Sequence, residues 1–95
     1  DVAWAEVDGR ATLFVALAGT HQLGAIDLAT GEARAHAGGR GEDIMDGALP
    51  DALLAQPMGL ATDGRTVWFA DAESSAVRAA DAASGGAVRT LVGTG

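Results

Sequence analysis

The stretch QPMGLATDGRTVWFADAESSAVR, residues 56–78, decides the fold prediction. Its Asp63-Gly64 pair lies between two short apolar runs, which is typical of a β-hairpin because both residues tolerate a positive φ. The chain is rich in alanine, which favours helix, but Gly and Asp-Gly recur too often for long helices, and the apolar segments are only four to six residues long. The pattern therefore predicts strands, at Gly59–Thr62, Thr66–Ala70, Ala76–Asp81 and Val88–Val92.

The same pattern occurs twice in the chain, since the copies starting at Thr12 and Thr66 are 54 residues apart. Residues 13–16 align with residues 67–70, and in the first copy the turn pairs Asp8-Gly9 and Thr30-Gly31 take the places of the later turns. Four-stranded units that repeat at this spacing are typical of a β-propeller. We therefore predict an all-β chain of two four-stranded antiparallel blades. Blade one covers about 1–38, an inter-blade loop 39–56, and blade two about 57–95.

Three segments, QPMGLATDG, VWFADAESSAVR and GGAVRTLVGTG, resemble the NHL-repeat family, most nearly the proteins that place an NHL propeller after a thioredoxin-like domain. The first copy departs from the family pattern, with Leu17 where Asp is usual and Gly24 where Arg is usual. The resemblance implies a ring of about six blades. The chain is thus expected to be a propeller fragment that meets further blades or associates with itself through an uncovered apolar blade face.

Charge and composition limit the classes of partner that are expected for this chain. The net charge is −7 and all six basic residues are arginines, which disfavours nucleic acid as a partner. No basic amphipathic stretch favours a membrane surface. The absence of cysteine excludes disulfides and thiolate metal sites in this chain. It leaves the compartment open, with the cytoplasm favoured, and the use of Ala and Arg indicates a bacterial source.

Loop position selects the candidate binding residues. Loops alternate between the two ends of a four-stranded meander, so Leu17–His21, Asp71–Ser75 and the long segment Gly38–Gln56 are expected at one end, which we call the loop face. Irregular loops carry function more often than tight turns. The candidate binding residues are Thr20, His21, Asp71, Glu73, Ser74, Ser75 and Arg78.

Each candidate also has a structural interpretation. Arg78 is expected to pair with Asp71 or Asp81 and tie strands together, and Ser74 and Ser75 to make turn hydrogen bonds with Asp71. His21 and His36 are too far apart in the pattern to form a cluster.

Two further segments are interpreted as structural. The carboxylates of the long segment, Glu42, Asp43, Asp46 and Asp51, do not follow a Ca²⁺-loop spacing and are expected to be solvated. Residues 49–57 predict a helical turn, with Leu53 or Leu54 packed between the blades. Trp4 and Trp68 are expected in the core.

These residues predict a non-catalytic interaction module that binds a protein or small ligand through the loop face. We expect no catalytic residue, metal or cofactor in this segment. The alternative is a part of a propeller lyase or hydrolase, whose channel metal site would be completed by other blades, with Glu6 as the inward ionisable candidate.

Overall fold

A computed structural model describes residues 1–39, 46–55, 57–71, 76–83 and 85–93. The described residues form two antiparallel sheets, which confirms the all-β prediction. No helix in these ranges is long and apolar enough to cross a membrane.

Sheet 1 is a four-stranded meander in the order β1-β2-β3-β4. Its strands are β1 Val2–Val7, β2 Arg10–Leu17, β3 Gln22–Asp27 and β4 Ala33–Ala37. The β1–β2 turn has Asp8 at φ 52° and Gly9 at φ 78°, the left-handed pair that an Asp-Gly hairpin turn requires. A short 3-10 turn, Ala18–Thr20, links β2 to β3.

Sheet 2 repeats this meander and adds a short strand at its edge, giving the order β5-β9-β8-β7-β6. Its strands are β5 Gly47–Ala48, β6 Pro57–Thr62, β7 Thr66–Asp71, β8 Ala76–Asp81 and β9 Ala87–Val92. The four long strands lie within two residues of their predicted bounds. The sequence did not predict β5, which pairs with β9 through Gly47 and Ala48.

One hydrophobic core joins the sheets. Phe14 and Leu23 of sheet 1 belong to the same buried cluster as Val67 and Phe69 of sheet 2. Because side chains alternate along a strand, these residues define an inner face on each sheet, and their neighbours point to the opposite, outer face. Burial of this shared apolar surface is the main force that holds the two sheets together.

The connection between the sheets is packed into this core. Ala52 and Leu54 are fully buried, and the amide of Ala52 donates to the carbonyl oxygen of Ala48 at 2.9 Å, closing one helical turn. The prediction of a helical turn with a leucine packed between the sheets is confirmed.

The prediction that Trp4 packs in the core is wrong. Trp4 is 64% exposed, since the alternation of β1 places it on the outer face of sheet 1. Trp68 is half-buried and lies on the outer face of sheet 2, between the inner-face residues Val67 and Phe69. Alternation along a strand tells which residues share a face of the sheet. It does not tell which of the two faces is covered by another sheet.

Candidate functional site

The predicted loop face is assembled around the segment Leu53–Ala55. The carbonyl oxygen of Ala55 accepts a hydrogen bond from Nδ1 of His21 at 2.5 Å, and the amide of Ala55 donates to the Asp71 carboxylate at 3.0 Å. The carbonyl oxygen of Leu53 accepts from Nη1 of Arg78 at 2.7 Å. Three of the predicted site residues therefore converge on one stretch of the inter-sheet connection.

Arg78 is the centre of this network. Its side chain is fully buried on the inner face of sheet 2, and Nη1 lies 3.3 Å from the equally buried carboxylate of Asp71. Nη2 lies 2.9 Å from Asp46, whose side chain is 46% exposed. The guanidinium carbon also lies 6.0 Å from the centroid of the Phe69 ring, within the range of a cation–π contact. Charged groups at this depth persist only when they are paired and hydrogen-bonded.

The ion pair predicted between Arg78 and Asp71 is confirmed, while the alternative partner Asp81 is not used. Asp81 instead binds Arg89 at 3.2 Å and accepts from the amide of Ala87 at 3.0 Å. The hydrogen bond from Ala87, with further support from Arg89, lowers the pKa of Asp81 against a smaller effect of burial.

The interpretation of Asp46 as a solvated carboxylate is incomplete, because its side chain is 46% exposed but is also held by the protein. Besides Arg78, it accepts from the amide of Thr90 at 3.0 Å and from the Thr90 hydroxyl at 2.8 Å. Desolvation raises the pKa of Asp46, but the hydrogen bonds from Arg78 and Thr90 outweigh it and lower the pKa overall. The sequence signal that could have located this contact is the Asp-Gly pair Asp46-Gly47, since Gly47 begins the unpredicted edge strand β5.

His21 is held by its backbone as well as by its ring. It has φ 58°, the left-handed conformation, and ends the 3-10 turn that follows β2. Because a carbonyl oxygen can only accept, its bond to Ala55 requires the proton on Nδ1. Thr20, directly before it, is exposed, with a 3.5 Å contact from its hydroxyl to the carbonyl of Leu17. Among the predicted site residues that the structure describes, Thr20 is therefore the exposed one.

The remaining predicted site residues, Glu73, Ser74 and Ser75, lie outside the described residues. So do Glu42, Asp43 and Gln56 of the long connection. Within the described ranges, no group of three or more His, Asp or Glu side chains is arranged to hold a metal ion.

His36 is a contact that the sequence pattern did not predict. Its ring lies edge-on to Phe14, with centroids 5.1 Å apart, and Nε2 donates to the carbonyl oxygen of Asp81 at 2.7 Å. It therefore links β4 of sheet 1 to the end of β8 in sheet 2. Burial lowers the pKa of His36, more strongly than its bond to Asp81 raises it, and Arg34 lowers it further.

The chain is similar to a segment of a known plant protein. The chain is 34% identical over 96 aligned positions to Protein SUPPRESSOR OF QUENCHING 1, chloroplastic, of Arabidopsis thaliana. The match covers 98% of this chain but 9% of that protein, so the chain spans about a tenth of its relative's length. No family model matches the chain.

Proposed function

We propose that this chain forms two blades of an NHL-type β-propeller and acts as a non-catalytic interaction module. It binds a protein or small ligand at the loop face, which carries the β2–β3 turn, the β7–β8 connection and the inter-sheet connection. Fold alone does not define function, so the proposal depends on what the residues at this face do.

The observation that carries the proposal is the pair of matched meanders. Two copies of one sequence pattern form sheets of the same strand order, and their inner faces share one core. This is the relation that neighbouring blades have in a propeller. The 34% identity to a segment of a much larger protein is compatible with a unit that works within a longer chain.

The side chains with chemical potential support a binding role over catalysis. His21, Asp71 and Arg78 are all engaged in holding the connection segment to the sheets. Their contacts fix the connection against the sheets, and Thr20, the neighbour of His21, is exposed. A rigid scaffold that displays irregular loops is the usual arrangement of a binding face.

The enzyme alternative receives less support. Glu6 is the ionisable residue that the innermost strands β1 and β6 offer, and it is exposed on the outer face of sheet 1 beside Trp4. The bacterial source and the association with a thioredoxin-like domain stay proposals from composition and resemblance.

A binding measurement tests the proposal. We would titrate the ¹⁵N-labelled 95-residue chain with pooled peptides and pooled metabolites and follow backbone amide shifts. We expect saturable shifts at Thr20, His21 and Ala55, no turnover of the ligand, and loss of binding in Thr20→Lys. The matched control is Thr30→Lys, which places the same change on the exposed β3–β4 turn at the opposite end. Shifts that cluster around Asp8 and Thr30 would contradict the proposal.

A further inference from the structure

Both outer faces of the chain are apolar. On sheet 1 the outer face carries the exposed residues Val2, Trp4 and Leu17, at 54%, 64% and 39%. On sheet 2 it carries Met58, Val77 and Val92, at 49%, 42% and 64%, next to the half-buried Trp68. Large apolar side chains grouped in this way usually mark an interaction surface.

The sequence repeat indicates which kind of surface is complementary to each outer face. Phe14 and Leu23, on the inner face of sheet 1, correspond by the 54-residue repeat to Trp68 and Val77, on the outer face of sheet 2. The outer face of sheet 2 is therefore a second copy of a surface that is already seen in contact, and its natural partner is a surface like the inner face of sheet 2.

The complementary relation holds for sheet 1. Val67 and Ala80, on the inner face of sheet 2, correspond to Leu13 and Ile26, which pair across β2 and β3 on the outer face of sheet 1. The chain thus carries both halves of its own internal interface on its two outer surfaces. The two halves differ from each other, so they fit head to tail rather than face to identical face.

Sheet 1 departs from the repeat at the two positions where sheet 2 uses the inter-sheet connection. On sheet 2, the buried pair Asp71 and Arg78 depends on the inter-sheet connection for its hydrogen bonds. On sheet 1, the same positions are Leu17 and Gly24, and Leu17 lies over Gly24 so closely that an added Cβ would be 3.2 Å from its Cδ1. An apolar pair of this kind leaves no buried charge unsatisfied when the sheet that covers it belongs to a separate molecule.

We propose that a second copy of this chain docks here, with the outer face of sheet 2 of one molecule against the outer face of sheet 1 of the next. This inference builds on the proposed blade architecture and adds the partner and the polarity of contact. A head-to-tail contact leaves one free face of each kind, so the association continues beyond a dimer until a ring closes.

Sedimentation velocity of the full 95-residue chain, up to about 1 mM, tests this proposal. Trp4→Asp blocks the outer face of sheet 1 and Val77→Asp blocks that of sheet 2. Each variant alone is expected to associate at least about tenfold more weakly than the unaltered chain, because a charge would be buried at the contact. Mixed in equal amounts, they should form a 1:1 complex through the two intact faces and grow no further.

Controls make the outcome interpretable. Leu28→Asp places the same kind of change on the exposed β3–β4 turn and should leave association unchanged. Circular dichroism checks that each variant folds, and Val2→Asp with Val92→Asp forms a second pair at exposed positions.

Three results would overturn the proposal: an unaltered chain that stays monomeric, a Trp4→Asp variant that still associates fully, or a mixture that stays monomeric. A folded monomer that still binds ligand at Thr20 would refute the association alone and leave the proposed function standing.

Discussion

Replacing Arg78 by methionine removes the cation at the centre of the inter-sheet network while keeping a long apolar side chain. The variant leaves the Asp71 carboxylate, which is fully buried, without its Arg78 counter-charge. It also removes the donor to the Leu53 carbonyl oxygen at 2.7 Å. Breaking a buried ion pair on one side costs about 3–5 kcal/mol. A domain of 95 residues has about 5–14 kcal/mol in total, so the variant should lose at least about a fifth of its stability.

Urea unfolding measures this loss, with the fluorescence of Trp4 and Trp68 reporting on one sheet each. The control Arg65→Met removes an exposed arginine from the β6–β7 turn and should change the free energy of unfolding by less than about 0.5 kcal/mol. The double variant Arg78→Met with Asp71→Asn removes the buried charge and keeps an acceptor for the Ala55 amide. It should be more stable than Arg78→Met alone by about 1–3 kcal/mol.

Two results would refute this reasoning. One is an Arg78→Met variant within about 1 kcal/mol of the unaltered chain, which would place the guanidinium in solvent. The other is a double variant no more stable than Arg78→Met, which would mean that the cost comes from lost packing and not from the Asp71 charge.

Three further substitutions test separate parts of the structure. Burial lowers the pKa of His36 from its ordinary 6.5, so the unfolded chain binds the proton first, and the stability is full above pH 6.5 and falls below it. Between about pH 7 and 5 the melting temperature should therefore fall less in His36→Gln than in the unaltered chain. An equal fall in both proteins would contradict the burial of His36. Gly38 has φ +106°, and an added Cβ there would lie 2.6 Å from a backbone oxygen, so Gly38→Ala should lower the melting temperature. An added Cβ at Gly19 would meet open space, so Gly19→Ala should leave the melting temperature unchanged. Leu54→Ala should lower the free energy of unfolding in urea by about 2–5 kcal/mol, because Leu54 is fully buried. Leu53 is partly exposed, so Leu53→Ala should lower it clearly less. Equal losses would contradict the placement of the connection.

The strands and their order could be predicted because turn residues and alternation are local signals. Asp8-Gly9 favours a left-handed hairpin turn. Because the pattern repeats after 54 residues, the strands predicted in one copy support those predicted in the other. The partner Asp71 for Arg78 also followed from the pattern, since the two positions lie near each other on neighbouring strands of a meander.

The contacts that the sequence did not predict join residues far apart in the chain. Asp46 reaches Arg78 and Thr90, His36 reaches Asp81, and each of these pairs spans more than 30 residues of the chain. The Asp46 contacts depend on the pairing of β5 with β9 at the edge of sheet 2, and the His36 contact depends on how the two sheets are stacked. Alternation within a strand defines neither. The exposure of Trp4 has the same origin, because burial depends on which face meets another sheet.

Nuclear Overhauser contacts of the Phe14 ring test most directly the claim that the two repeats stack through non-identical faces. We predict contacts from Phe14 to the His36 ring and to core residues of sheet 2 such as Val67 or Phe69, seen in samples dilute enough to be monomeric. Contacts between Phe14 and its repeat counterpart Trp68, or an absence of contacts between Phe14 and sheet 2, would contradict the account.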